Sequence, residues 1–225
     1  MKLAPPGRID TLGGMRAVLA VVATAVILAT ASPAAAGSRS SCKAELDERG
    51  VAWKPATRKG IADGVEITGP LGGVAFSSWG PALVIDCSLA VSLAEAGRYL
   101  VALGIDAVEF SSAYARRNVR GTRRPSKHSF GLAIDIHTVS GPALGALRID
   151  RDYEQGLGDL TDCVGAPLTQ GGAVLKTLQC QLVRSGLFDL VLSPDYDDAH
   201  HDHFHLQVKP WGDRPALRST AQAIH

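Results

Sequence analysis

Residues 126–137 read Ser126-Lys127-His128-Ser129-Phe130-Gly131-Leu132-Ala133-Ile134-Asp135-Ile136-His137, and residues 200–208 read His200-His201-Asp202-His203-Phe204-His205-Leu206-Gln207-Val208. Both stretches alternate, and that alternation decides the fold reading. In the second, Phe204, Leu206 and Val208 take every other place, with His203, His205 and Gln207 on the complementary face. Successive strand side chains point to opposite faces, so the pattern predicts a strand with one apolar and one histidine-bearing face. A helix would set His203 and His205 about 200° apart. In the first stretch, Leu132, Ile134 and Ile136 alternate with Ala133, Asp135 and His137, which places Asp135 on a polar strand face. His128 precedes that strand, and Gly131 allows the chain to turn so that His128 returns towards Asp135.

His128, Asp135 and His205 then make a set of two imidazoles and one carboxylate. Such a set suits Zn²⁺ and leaves a fourth tetrahedral position for water. The chain contains seven histidines, none before His128, and four lie between His200 and His205. A histidine tract alone fits a solvated or metal-scavenging run. The interleaved apolar residues and the second His/Asp segment favour a built site.

Outward from these motifs, a short helix is expected from about Ser41 to Arg49, stopped by Gly50. Residues 57–80 are rich in Gly and short β-type runs (Val65 to Thr68, Val74 to Phe76) and read as hairpin material. After Asp86, the residues Leu89, Leu93, Ala96, Leu100 and Leu103 recur at helical spacing up to Gly104. Ile105 to Phe110 reads as a strand, 173–185 as a helix ending at Gly186, and Phe188 to Leu192 as another strand. No repeating βαβ order appears. The expected fold is therefore α+β: a small, mainly antiparallel sheet carrying the zinc site, flanked by helices.

Residues 1–36 read as an export signal. Lys2, Arg8 and Arg16 precede an apolar stretch from Ala17 to Ala31, and Ala34-Ala35-Ala36 offers a cleavage site. An uncleaved anchor is the alternative, but the apolar run is shorter than the ~20 residues that span a bilayer. Residues 37–211 then form one domain, with 212–225 as a tail, in the periplasm or secreted, and no stable membrane span remains after cleavage. Removal of the leader takes the net charge from +1 to −1. Neither value gives a basic field for nucleic acid, and a composition 46% hydrophobic argues against disorder. Four cysteines in an exported chain point to two disulfides with three possible connectivities. Cys163–Cys180, closing the Gly-rich stretch from Val164 to Gly172, is favoured, with Cys42–Cys87 by default.

The first motif resembles the Ser-x-His-x-x-Gly-x-Ala-x-Asp pattern of the zinc peptidase group that includes lysostaphin-type enzymes, D-Ala-D-Ala peptidases and hedgehog domains. Ser126, His128, Gly131, Ala133 and Asp135 occupy its fixed positions. The second resembles that group's closing His-x-His motif. From Cys42 through Tyr114 to Asn118 and both motifs, to about Val208, the chain more closely resembles the extensin-like C-terminal family of bacterial proteins.

The resemblance implies His128, Asp135 and His205 as metal ligands, His203 as catalytic base and His200 as a further active-site histidine. It implies Asp202 as a partner or rival of that base, and Tyr114 and Arg117 as substrate contacts. Where the family usually has a Cys before an Arg-Asn pair, this chain has Arg116-Arg117-Asn118, which puts the family's usual disulfide pattern in doubt. The expected function is hydrolysis of peptidoglycan stem peptides by metal-activated water, as a carboxypeptidase or crosslink endopeptidase. The alternative is a non-catalytic, zinc-containing cell-wall binding module. Six cations between Arg116 and Lys127 read as a solvated loop, or as a surface whose Arg117 meets substrate carboxylates.

Overall fold

The polar face expected of 133–137 is carried by the central strand of the larger of two sheets. The computed structural model describes residues 41–78, 80, 82–157, 163 and 165–214, all within one compact unit. The expected signal peptide, the tail beyond Arg214, and His225 lie outside the described residues.

Helix α1 (Cys42–Glu48) starts at Ser41, whose side chain accepts from the Ala44 amide. The smaller sheet follows: β1 (Trp53–Pro55), β2 (Gly64–Ile67) and β4 (Val84–Asp86) pair antiparallel in the order β1-β2-β4. Helix α2 (Cys87–Ala102) begins where β4 ends, because the Asp86 carboxylate accepts from the Ser88 amide and hydroxyl and so caps it. Its leucine stripe is buried, and so are Ala90, Val91 and Ala94 on other faces. So broad an apolar surface suits the interior, and α2 lies between α1, α4 (Gln170–Ser185) and the small sheet, with Arg98 and Val101 left exposed. The disulfide Cys42–Cys87 ties α1 to its first turn. A bond of this kind typically contributes about 2–4 kcal/mol.

The larger sheet contains β3 (Ala75–Ser77), β5 (Ala107–Ser112), β6 (Ala133–Gly141), β9 (Phe204–Gln207) and β8 (Leu190–Leu192) in that order, with β7 (Gly145–Arg148) also on β6. Strand β6 pairs with β5 along one edge. Its other edge is shared, the first half by β9 and the second half by β7. All pairings are antiparallel except β3 with β5. The fold is α+β, with the expected helices and strands within a few residues of their anticipated limits. The 57–80 stretch is a correction. Its two β-type runs do not pair as a hairpin: β2 joins the small sheet, and β3 lies parallel to β5.

Helix α3 (Ile149–Asp152) follows β7, and Thr169 caps α4 through its hydroxyl. Leu175, Leu178 and Leu182 of α4 are buried with Ile134, Ile136, Phe204 and Leu206 in one core. Phe204 is fully buried and packs edge-on against the Tyr153 ring, 5.6 Å between centroids. Burying a side chain of that size stabilises by roughly 1.5–3 kcal/mol. The second disulfide joins Cys163 to Cys180. Past β9, Arg214 is buried and donates to the Ser88 carbonyl, which seats the end of the described chain on α2.

Candidate metal centre

The apolar faces of β6 and β9 go to the core, so their alternate residues come together on the opposite face. Asp135 and His205 are direct cross-strand partners, and Ser112 of β5 faces Asp135 from the other side. A row Ser112–Asp135–His205 therefore crosses three strands. His128 enters from a 3₁₀ turn, Lys127–Phe130, capped by the Ser126 side chain. Gly131 ends that turn at φ +65°, where a Cβ would stand 2.8 Å from the Asp86 amide. That amide instead donates to the Gly131 carbonyl (3.0 Å), which seats the turn on the start of α2.

Two irregularities shape this face. Between β5 and β6 the register gains one residue at Ser111 and one at His137. Such bulges re-aim side chains beside functional sites. Here Ser112 lies 3.4 Å from His128 Nδ1 and Ser111 lies 2.7 Å from His137 Nε2.

The expected ligands converge. His128 Nε2 and His205 Nδ1 lie 3.1 and 2.8 Å from the same Asp135 oxygen and 3.3 Å from each other. Ligands held about 2.0–2.1 Å from a tetrahedral ion stand about 3.3–3.4 Å apart, so the spacing fits a shared divalent cation. Tautomers fit as well. Gln207 donates its amide N–H to Asp189 (3.2 Å), which turns its acceptor oxygen towards His205 Nε2 at 3.4 Å. The His205 proton then sits on Nε2, and the Nδ1 lone pair faces the cluster. The other Asp135 oxygen is 3.3 Å from the Arg117 guanidinium.

Electrostatics agree with this assignment. Burial lowers the His128 pKa and outweighs the opposing pull of Asp135, so the imidazole is neutral near pH 7. Burial works against the Asp135 carboxylate, but the pull of the adjoining His128 and His205 rings prevails and holds it far below the usual carboxylate range. A neutral His128 and an ionised Asp135 are donors that a divalent cation meets without displacing a proton from either.

Around this cluster, His203 Nε2 is 3.6 Å from the shared Asp135 oxygen, and its Nδ1 is 2.7 Å from Asp202. Burial pulls the His203 pKa below its ordinary value, against the raising effect of Asp202. His200 holds Asp197 through Nδ1 at 2.6 Å, with its ring 5.1 Å from that of His203. His201 is exposed and its Nδ1 meets the Asp198 carbonyl.

The two expected substrate contacts have different partners. Arg117 is at the cluster, its side chain 56% exposed. The Tyr114 hydroxyl donates to the Lys59 carbonyl (2.8 Å) in the segment before β2. The Ser129 hydroxyl fixes the Arg117 backbone, donating to its carbonyl (2.8 Å) and accepting from its amide (3.0 Å).

Sequence reasoning missed Ser111, Ser112, Asp189 and Asp197, and it left His137 without a role. Regular alternation would set the adjacent Ser111 and Ser112 on opposite faces, whereas across the bulge both reach histidines. Asp197 carries a local signal, an Asx cap three residues before His200.

A family model described as the extensin-like protein C-terminus matches residues 169–216. The match supports the extensin-like family. It runs from the cap of α4 through β8, the histidine-rich turn and β9, so His200, His203 and His205 fall inside it, while His128 and Asp135 lie outside. No curated protein and no solved structure matches the chain. Two disulfides, with no helix among the described residues long and apolar enough to cross a membrane, are compatible with an extracellular or periplasmic protein.

Proposed function

We propose that this extensin-like chain is an exported zinc peptidase that hydrolyses peptide bonds of peptidoglycan stem peptides. The supporting observation is the convergence of His128 Nε2, Asp135 and His205 Nδ1 beside a histidine, His203, that is not one of these three ligands. Those three side chains would hold the ion. Zinc in such a set acidifies water and polarises a scissile carbonyl.

The chain's own residues supply the rest. Asp202 accepts from His203 Nδ1–H and leaves the Nε2 lone pair facing the cluster, where it takes a proton from water and returns it to the leaving amine. The lowered His203 pKa keeps that nitrogen free at neutral pH. His200 stands beside His203 with its Nδ1 held by Asp197, and with protons on both ring nitrogens it would donate Nε2–H to the developing oxyanion. Arg117, half exposed beside Asp135, offers a cation to a substrate carboxylate.

The test is mass spectrometry of muropeptides digested with wild type, His203→Ala and His128→Ala, each assayed for bound zinc. His203→Ala is expected to keep zinc and lose about 10²–10⁴-fold in rate. His128→Ala is expected to lose most of both. Unchanged cleavage by His203→Ala would remove it as the base. No cleavage by zinc-loaded wild type would favour a binding module.

A further inference from the structure

His137 is left over by the site described above. It lies two residues beyond Asp135, and the β6 bulge brings it beside Asp202. Its Nε2 is anchored by the Ser111 hydroxyl at 2.7 Å. Its Nδ1 stops 3.7 Å from the nearer Asp202 oxygen, too far for a hydrogen bond. The second Asp202 oxygen holds His203 Nδ1 at 2.7 Å, and the His137 and His203 rings lie 5.2 Å apart. His137, Asp202 and His203 thus offer three ligand atoms within 4.8 Å of one another.

All three are partly exposed. His137 and Asp202 line a cavity of about 610 Å³, whose wall also carries Glu109 and Asp150. Arg148 on the same wall is taken up by Asp150, with its Nε 3.0 Å from the carboxylate. Glu109 is left to draw cations in.

We propose that His137, Asp202 and His203 form a second divalent-cation site, distinct from the His128–Asp135–His205 set, and that zinc bound there inhibits the enzyme. The site stands on geometry alone; the inhibitory role rests on His203 as the base proposed above. A neutral His203 carries one ring proton. With Asp202 accepting at Nδ1–H, the lone pair lies on Nε2. A cation coordinated at Nδ1 takes that nitrogen's lone pair and leaves the single proton on Nε2, so no acceptor faces the inner cluster. Occupation of the outer site and action as a base exclude each other.

Equilibrium dialysis of the full protein against rising free Zn²⁺, with metal quantified and muropeptide hydrolysis followed in parallel, tests this. Wild type is expected to load two ions, the second more weakly, and to lose activity as the second loads. His137→Ala, and independently Asp202→Asn, are expected to load one. His137→Ala should need at least roughly tenfold more zinc for inhibition, at the scale of ligand-shell effects.

A wild type that stops at one ion overturns the outer site. So does a second ion retained by both variants, as exposed His201 alone would give. Two ions of the expected kind with no hydrolysis at any zinc concentration uphold the site and overturn the peptidase reading and the inhibition with it. One ion with hydrolysis leaves the peptidase standing without this control.

Discussion

The inner cluster His128–Asp135–His205 and the outer cluster His137–Asp202–His203 contain the same residue types on one face of one sheet, but their surroundings differ. The inner three are 0%, 4% and 9% exposed, and each far atom is held: His128 by Ser112, Asp135 by Arg117, His205 by Gln207, itself held by Asp189. The outer three are partly exposed, His137 and Asp202 facing a cavity, and only His137 has its far nitrogen fixed, by Ser111. Burial with held far atoms prepares ligands before an ion arrives. Exposure leaves ordering to be done on binding. The first arrangement suits a resident ion and the second an exchangeable one.

Substitution at Asp135 separates the clusters most sharply. Asp135→Ala is expected to weaken the inner ion by at least about 100-fold, since even outer-shell changes cost 10–100-fold, while the outer cluster still loads. Equal loss at both, measured by zinc titration, would merge them into one site.

A smaller effect compares the supports. Gln207→Leu removes the acceptor that sets the His205 tautomer and should weaken the inner ion roughly 10–100-fold, whereas Ser111→Ala should weaken only the outer one, by about tenfold. Isothermal titration at two zinc ranges distinguishes them. An inner affinity untouched by Gln207→Leu would mean that burial alone prepares the ligands.

The smallest effect is on stability against pH in the metal-free protein. The folded-state pKa values of His128 and His203 lie below their ordinary value of 6.5, so the unfolded chain binds protons first as pH falls. Their contribution is fully present above about pH 6.5 and is lost as pH drops through the lowered folded values. Asp135, depressed likewise, adds a loss below the ordinary carboxylate range near pH 3.8. Melting temperature should fall between pH 6.5 and 5, and less steeply in His203→Asn. A flat profile would contradict the buried neutral imidazoles.

Much of this arrangement is legible before any coordinates. Period-two alternation at 132–136 and 204–208 identifies two strands and the faces carrying Asp135 and His205, because burial on one side forces the pattern. The helical spacing after Asp86 and the glycine stops at Gly104 and Gly186 likewise report local backbone preference. Pairing partners do not announce themselves this way. Val74 to Phe76 reads as half a hairpin, yet β3 lies parallel to β5, with β4 and α2 between them in the chain, and parallel strands require just such a crossover.

His137 shows the same division at the level of one side chain. Strict alternation along β6 places it on the face of Asp135 but names no companion for it. The bulges at Ser111 and His137, each one extra residue against its neighbour strand, bring it to Asp202 and fix its ring on a serine hydroxyl. Residue type and period, which are local, determined the ligand chemistry and the strand faces of this protein. Register, bulges and the atoms behind each imidazole come from contacts between distant segments, and only the tertiary structure decided them.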